Sequence, residues 1–264
     1  MKFQVNHDLH IHTCLSSCSQ DPAINPESIL KFGEEHGYDC LCLTDHYWDE
    51  HCGVAPTEFY SWQDTAWVKK SLPLPKSDKL RYCFGCETEF WGGEKLGIAP
   101  ESMDTFEFII VPPNHLHLYC EWGEMEEPEQ AAELLVQRME QLTQMDLPWK
   151  KIGIAHMTDS CTWPRHNVFE AIRRVDTDRL RESFRFFAEH GAGIELNRSC
   201  FSHTIWENFR EESLMLYALA RDAGCKFYCG SDAHHLPGLT EMLDYLPRAV
   251  EALELTEEQR YWIP

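Results

Sequence analysis

The chain has 264 residues, 43% of them hydrophobic and 12% aromatic, which is enough material for one large domain with a packed core. Its formal net charge of −21 disfavours nucleic acid and anionic membranes as partners, because both bind proteins through basic patches. No apolar run approaches the about 20 residues of a membrane helix, and no apolar signal stretch opens the sequence, so we expect a cytoplasmic protein whose 12 cysteines are reduced thiols.

Short β-rich runs alternate with helical patterns along the first half of the chain. A strand over residues 3–9 precedes a helix that begins at Asn25-Pro26-Glu27, where an N-cap is followed by proline, and ends near Gly37. A buried strand over 40–45 and a helix over 57–71 come next. Strands over 81–90 and 106–111 then precede a long helix over 127–145.

The second half repeats this alternation. It contains a strand over 152–156, a helix over 178–190 ended by Gly191, a strand over 192–196, a helix over 206–223 ended by Gly224, and a strand over 226–230. A capping box, Thr256-Glu-Glu-Gln, opens a last short helix.

The alternation predicts a parallel sheet covered by helices, and seven or eight strands favour closure into a barrel. An open doubly wound sheet is the alternative, although no Gly-rich phosphate loop follows the first strand. We expect a single domain over 1–264 with an acidic insertion-like region around 99–135, since no Lys or Arg lies between Lys95 and Arg138.

Nearly every predicted strand ends in histidines or carboxylates. In chain order these residues are Asp8, His10, His12, Asp45, His46, Glu87, His115, His117, His156, Glu195, Asn197, Asp232, His234 and His235. In a barrel of parallel strands, the carboxyl ends of the strands meet on one face, and the chemistry of such folds lies there.

The spacing of these side chains indicates a metal site. His10 and His12 are two residues apart in an extended segment, so both rings point to the same side and can bind one ion. Imidazole and carboxylate ligands suit zinc, iron or manganese better than calcium or magnesium. The candidate ligands are too numerous for one tetrahedral ion, so we expect two or three divalent ions with Glu87 as a bridge.

Taken in order, the motifs resemble the polymerase and histidinol phosphatase (PHP) family of metal-dependent phosphoesterases. The matching segments are Asp8-Leu-His10-Ile-His12-Thr13, Leu43-Thr44-Asp45-His46, Gly85-Cys86-Glu87, Ile154-Ala155-His156, Glu195-Leu196-Asn197 and Gly230-Ser231-Asp232-Ala233-His234. They span residues 8 to 234, almost the whole chain. The resemblance implies an α/β fold of the TIM-like type, a distorted seven-stranded (β/α)7 barrel that holds three metals.

The resemblance also implies a ligand set for each ion. His10, His12, Glu87 and Asp232 bind the first ion, Glu87, His115 and His156 the second, and His46 and His234 the third. His117 is the alternative to His115. Cys18 stands where some family members have a histidine of the third site. Either Cys18 binds as a thiolate, or Asp21 takes its place, or the third ion is weak or absent.

The expected activity is hydrolysis of a small phosphomonoester, histidinol phosphate or a similar phosphorylated metabolite, by metal-activated hydroxide. Glu87, His46 and His234 are the predicted catalytic residues, with either imidazole as proton donor to the leaving alkoxide. Asn197 and Arg198 are predicted to bind the substrate, the arginine through its planar fork. The alternatives are an amidohydrolase-like enzyme acting on an amide or lactone, and a non-catalytic metal-binding protein.

The remaining polar residues receive supporting roles. Asp8 and Asp45 are expected to orient imidazoles, and His235 to support the site or lie on the surface. His36 and His190 lie near predicted helix C-termini, where a cation is favoured by the helix dipole, so we predict a structural role for both.

Overall fold

The structure is a computed structural model that describes residues 1–19, 21–115, 125–160, 163 and 166–264. Its strands are β1 (His7–Ile11), β2 (Cys40–Leu43), β3 (His46–Tyr47), β4 (Arg81–Thr88), β5 (Phe90–Gly92), β6 (Lys95–Leu96), β7 (Phe108–Val111), β8 (Ile152–Ile154), β9 (Gly193–Asn197) and β10 (Lys226–Gly230). Its α-helices are α1 (Pro26–His36), α2 (Thr65–Val68), α3 (Pro128–Thr143), α4 (Val168–Ile172), α5 (Thr177–His190), α6 (His203–Asn208), α7 (Arg210–Asp222) and α8 (Leu236–Ala252).

Seven parallel strands form a nearly closed barrel in the order β1-β2-β4-β7-β8-β9-β10, and β3 pairs with β4 beside this path. The barrel closes where β10 meets β1. Ile11 forms a parallel bridge with Ala233, and the Asp232 N–H donates to the His10 carbonyl at 2.8 Å. The predicted distorted TIM-like barrel is therefore confirmed, and the open doubly wound sheet is excluded.

Local capping signals explain where α1 and α5 begin and end. The Asn25 side chain accepts a hydrogen bond from the Ser28 N–H, and Pro26 occupies the first turn of α1. Gly37 follows α1 with φ of 71°, and Gly191 follows α5 with φ of 85°, a left-handed conformation that favours glycine. These boundaries agree with the prediction.

Three predicted elements differ from the structure. The helix predicted over 57–71 is reduced to α2 and a 3-10 turn, because Asp64 caps the helix there by accepting from the Trp67 N–H. The helix predicted over 206–223 is two helices that break at Phe209, whose φ is −140°. The strand predicted over 3–9 is β1, shifted towards His10 so that all five of its residues are buried.

The longest helix, α8, was not predicted. It has 17 residues and contains Pro247, which lacks the N–H that an interior helical position donates. A buried face that includes Leu239, Met242 and Leu246 holds the helix in place despite this proline.

Two apolar layers determine where in the barrel the polar site lies. Side chains facing outwards from the strands pack under the helices, and the alternate side chains fill the barrel itself. The inner cluster consists of Leu9, Cys40, Cys42, Cys83, Phe108, Ile110, Ala155, Tyr228, Tyr261 and Ile263. Glu87 lies four residues after Cys83 in β4, and Glu195 lies two residues after Gly193 in β9. Side chains an even number of residues apart point to the same face of a strand, so both carboxylates face the interior of the barrel. They therefore lie above the apolar cluster, at the carboxyl end of the barrel.

Within the described residues, no helix combines the length and apolar character needed to cross a membrane. The ten cysteines in the same part of the chain carry free thiols. Most of them are buried in strands or beside them, where a free cysteine packs as a small apolar side chain.

Candidate metal centre

Imidazoles and carboxylates from six barrel strands meet at the carboxyl end of the barrel. They are His10 and His12 around the end of β1, Glu87 in β4, His115 after β7, His156 after β8, Glu195 in β9, and Asp232 and His234 after β10, with His46 in the neighbouring β3. All are buried except Asp232 and His234, whose side chains are 18% and 28% exposed. The cluster is therefore open to solvent on the side where Asp232 and His234 lie.

Glu87 is at the centre of this cluster. Its Oε2 lies 3.0 Å from Nδ1 of His46, 3.3 Å from Nε2 of His12 and 3.4 Å from Nε2 of His10. Its Oε1 lies 3.2 Å from Nε2 of His156. Oε2 nevertheless has no hydrogen-bond partner among the described residues. A buried carboxylate oxygen needs a compensating partner, and a shared cation would supply one.

The proton positions on His10 and His12 support the same conclusion. Ser16 donates its hydroxyl hydrogen to Oδ1 of Asp45 at 2.6 Å, so its oxygen accepts from Nδ1 of His12 at 2.9 Å. Nδ1 of His10 donates to Oε1 of Glu195 at 2.6 Å. Nε2 of each ring then points into the cluster, where the two Nε2 atoms lie 3.0 Å apart, and in the neutral ring this atom carries the lone pair. Two lone pairs at that distance fit a cation between them.

Two further rings are held through Nδ1. Nδ1 of His115 donates to Oε2 of Glu89 at 3.0 Å, and the same oxygen accepts from the Tyr60 hydroxyl at 2.7 Å. Nδ1 of His234 donates to the carbonyl of Asp232 at 2.9 Å. Contacts of this kind fix the orientation and tautomer of metal-binding imidazoles.

The predicted ligands lie together in overlapping groups whose donor atoms are within 4.8 Å of one another. The groups are His10, His12 and Asp232; His46, Glu87 and His115; His10, His156 and Glu195; and His12, Cys18, His46 and His234. Every residue predicted as a ligand thus lies in one of these groups, while His117 lies outside the described residues. Binding of an ion by these residues remains a prediction.

The charges of the imidazoles follow from burial and from the carboxylates around them. Burial disfavours the charged ring of His10, but the carboxylates of Glu195, Glu87 and Asp232 outweigh it and hold the pKa of His10 well above its usual value. Against the same burial, Asp232 and Glu87 raise the pKa of His12. The pKa of His10 lies far enough above its usual value for this ring to retain a proton near neutral pH in the metal-free protein, and the pKa of His12 is shifted in the same direction.

Metal binding at neutral pH should therefore release protons. A cation takes Nε2 only after the proton has left, so we expect about one or more protons to be released when zinc is added. Calorimetric titration in buffers of different ionisation enthalpy measures that number, and the apparent affinity should fall as the pH is lowered. Equal binding enthalpies in all buffers would show that these rings are already deprotonated.

The predicted substrate-binding residues are engaged with the protein itself. The Asn197 amide donates to Oε2 of Glu195 at 3.2 Å, and its Oδ1 accepts from the Ser199 N–H at 2.8 Å. The Arg198 guanidinium donates to the Ser231 carbonyl at 2.7 Å and pairs with Glu241. Contact of Asn197 or Arg198 with a substrate remains a prediction.

Other predicted residues lie near the site without joining a ligand group of the described residues. Asp21 accepts from the Ala23 N–H at 2.9 Å. Asp8 accepts from the backbone N–H groups of His10 and Ser231, so it links β1 to the end of β10, and no imidazole among the described residues donates to it. His235 is the N-cap of α8.

His36 and His190 have the structural role that was predicted. Each ring donates through Nδ1 to the carbonyl four residues earlier, at 2.8 Å in both cases. Each therefore satisfies a carbonyl in the last turn of its helix.

Sequence reasoning assigned no role to three residues that support the ligands. Glu89 follows Glu87 by two residues, the spacing that marked His10 and His12, so a signal existed for it. Glu195 was recognised as a strand-end carboxylate without a function. Ser16 carried no signal, because its role depends on its contact with Asp45, 29 residues away.

Replacing Glu195 by glutamine should weaken metal binding by about 10- to 100-fold, the usual effect of losing a supporting contact. The carboxylate holds Nδ1 of His10 and accepts from the His156 N–H, and an amide of equal size lacks its charge. Competition with a chelating dye measures the change. Glu189→Gln, at an exposed position near the end of α5, is the matched control and should leave the affinity unchanged. Equal affinities in both variants would contradict the role assigned to Glu195.

Comparison with known proteins shows the fold and leaves the family open. No family model matches the sequence, and no curated protein matches it. The chain is similar to the crystal structure of histidinol phosphate phosphatase from Lactococcus lactis subsp. lactis Il1403, complexed with zinc, L-histidinol and phosphate. The TM-score is 0.58 and the identity 15%, over 95% of this chain and 94% of that chain. A. niger ochratoxinase gives a TM-score of 0.37 and 13% identity over 94% of this chain and 68% of that chain.

Proposed function

We propose that the chain is a metal-dependent hydrolase that cleaves a small phosphomonoester, such as histidinol phosphate or a similar phosphorylated metabolite. The observation that carries this proposal is the convergence of five imidazoles on the buried carboxylate of Glu87 at the carboxyl end of the barrel. The fold shared with a phosphatase solved with zinc and phosphate is compatible with it.

The electrostatics of the cluster favour a reaction that depends on cations. The buried carboxylates of Glu87 and Glu195 and the partly exposed carboxylate of Asp232 would repel a phosphate ester, and the chain carries a net charge of −21. Bound divalent ions reverse the sign of such a field, and closely spaced ions also polarise a phosphoryl group and lower the pKa of water. Two or three ions of zinc, manganese or iron fit these nitrogen and oxygen donors.

The protein's own contribution is to hold the donors in place. Glu87 lies between the imidazoles proposed for the first and second ions, and Ser16, Glu89 and Glu195 fix the rings that surround it. Donors positioned before the substrate arrives need no rearrangement when charge develops in the reaction. The apolar cluster below the site closes the barrel towards its other end.

The imidazoles of His46 and His234 suit metal ligation better than proton donation. Burial lowers the pKa of His46 well below its usual value and that of His234 to about 4, so both are neutral near pH 7. His234 cannot be a metal ligand and a proton donor at the same time. Its Nδ1 proton is donated to the Asp232 carbonyl, so only Nε2 is available for either role.

Phosphate release from a panel of phosphorylated metabolites tests the proposal. The protein is stripped with a chelator, reloaded separately with zinc, manganese or iron, and assayed with p-nitrophenyl phosphate, L-histidinol phosphate and other small phosphomonoesters. We expect release that depends on the added metal and favours one metabolite of the panel. The chelated protein is the control.

The same assay separates the alternatives. Cleavage of a lactone or amide panel without phosphate release would indicate an amidohydrolase-like enzyme. Such enzymes often use a carbamylated lysine as metal bridge, whereas here Glu87 lies in that position and no described lysine directly follows the carboxyl end of a barrel strand. Metal binding with no turnover of either panel would indicate a non-catalytic metal-binding protein.

A further inference from the structure

Cys18 lies at the edge of the imidazole cluster. Its Sγ and one ring nitrogen each of His12, His46 and His234 are all within 4.8 Å of one another. Donors of an ideal tetrahedral zinc site lie about 3.5 Å apart, so these atoms need to approach by little more than about 1 Å. Cys18 is exposed, whereas His12 and His46 are buried, so an ion can reach the group from the side of the thiol.

We propose that Cys18, together with His46 and His234, binds a divalent cation through a mixed sulfur and nitrogen donor set. His12 lies in the same group, but its Nε2 also faces His10 and Asp232, and one nitrogen binds one ion. The site then has three protein ligands and one open position, the arrangement typical of catalytic zinc sites. The proposal rests on the metal centre of the proposed function and is independent of which bond is hydrolysed.

The loop that carries Cys18 is fixed on both sides of the thiol. The Ser17 N–H donates to Oε1 of Gln63 at 2.9 Å, and the Gln63 amide donates back to the Ser17 hydroxyl at 3.0 Å. The Ser19 hydroxyl donates to the carbonyl of His234, itself a member of the group, at 2.8 Å. Cys18 and His234 are thus held beside each other although they are far apart in sequence, as a preformed metal site requires.

The mixture of sulfur and nitrogen donors predicts which metal ions the site prefers. Thiolate is a soft ligand that selects zinc and related ions, whereas manganese prefers oxygen donors. The sites built from imidazole and carboxylate alone accept manganese, while the site with Cys18 does not. Zinc should therefore saturate the chain at about one equivalent more than manganese does.

Cobalt titration followed by absorption spectroscopy tests the assignment. Thiolate bonded to cobalt gives a charge-transfer band in the near ultraviolet, which imidazole and carboxylate ligands do not produce. We expect this band in the unmodified protein. Cys18→Ser should lose the band and about one equivalent of bound cobalt. Cys14→Ser is the matched control, since Cys14 is also an exposed loop thiol and belongs to no ligand group of the described residues, and it should retain both.

A second variant distinguishes the loss of a ligand from misfolding of the Cys18→Ser protein. Cys18→His should restore the cobalt equivalent without restoring the band, because it replaces sulfur by nitrogen. Persistence of the band in Cys18→Ser, or cobalt binding to the unmodified protein without the band, would overturn the assignment. Since the readout needs no turnover, a band in a protein that releases no phosphate would refute the phosphoesterase alone. Phosphate release without a band would refute the Cys18 site alone.

Discussion

Replacing His10 and His12 together by alanine should abolish binding of the first ion and, with it, phosphate release. Their Nε2 atoms lie 3.0 Å apart and within 3.5 Å of both Glu87 and Asp232, so the first ion loses both of its imidazole donors without them. Elemental analysis after dialysis should show a loss of bound metal. Turnover should fall to the level of the chelated protein, because the activation of water depends on the ions.

The matched control is the replacement of two histidines of the same chain that lie away from the site. His36 and His190 are exposed at the ends of α1 and α5, and each ring donates to a carbonyl of its own helix. Their joint replacement by alanine should leave metal content and rate unchanged and alter stability by about 0.5 kcal/mol or less for each change. Retained phosphatase activity in the His10 and His12 variant would show that the reaction takes place elsewhere.

The barrel could be predicted because its signals are local. Strand-forming runs alternate with helices whose ends are marked by residues such as Asn25, Gly37 and Gly191. The parts that were missed depend on tertiary packing. The strand predicted over 3–9 is β1 at His7–Ile11, because the polar Asp8 and His10 are fully buried once β2 and β10 flank them. Such context commonly overrides local propensity.

The candidate ligands could be predicted for a related reason. Paired spacing of two residues and position at strand ends are visible in the sequence, and together they select His10, His12 and Glu87. The contacts that orient these ligands join distant segments, and the hydrogen bond between His10 and Glu195 spans 185 positions. No local pattern reports such a pairing, so the supporting roles of Ser16 and Glu195 became identifiable only once the strands were placed side by side.

Glu87→Gln should have the second largest effect, because it removes charge from the centre of the cluster while keeping the shape of the side chain. Although burial raises the pKa of Glu87, the imidazoles of His10, His46 and His115 hold it well below its usual range, so the residue is a carboxylate at neutral pH. A neutral amide cannot balance two cations, and one of its ends donates hydrogen bonds and cannot bind a metal. We expect at least one metal equivalent to be lost and the rate to fall by about 100-fold or more.

Two further variants distinguish the effect of the charge of Glu87 from the effect of its side-chain length. Glu107→Gln changes a half-exposed carboxylate that pairs with Arg81 before β7, at the opposite end of the barrel, and should leave metal content and rate intact. Glu87→Asp keeps the charge but withdraws the oxygens by one methylene, so it should retain more metal than Glu87→Gln while losing part of the rate. If Glu87→Gln kept its full metal content and Glu87→Asp did not, the length of the side chain would matter and its charge would not. Glu87 would then be a spacer between imidazoles, and the bridging role assigned to it would be wrong.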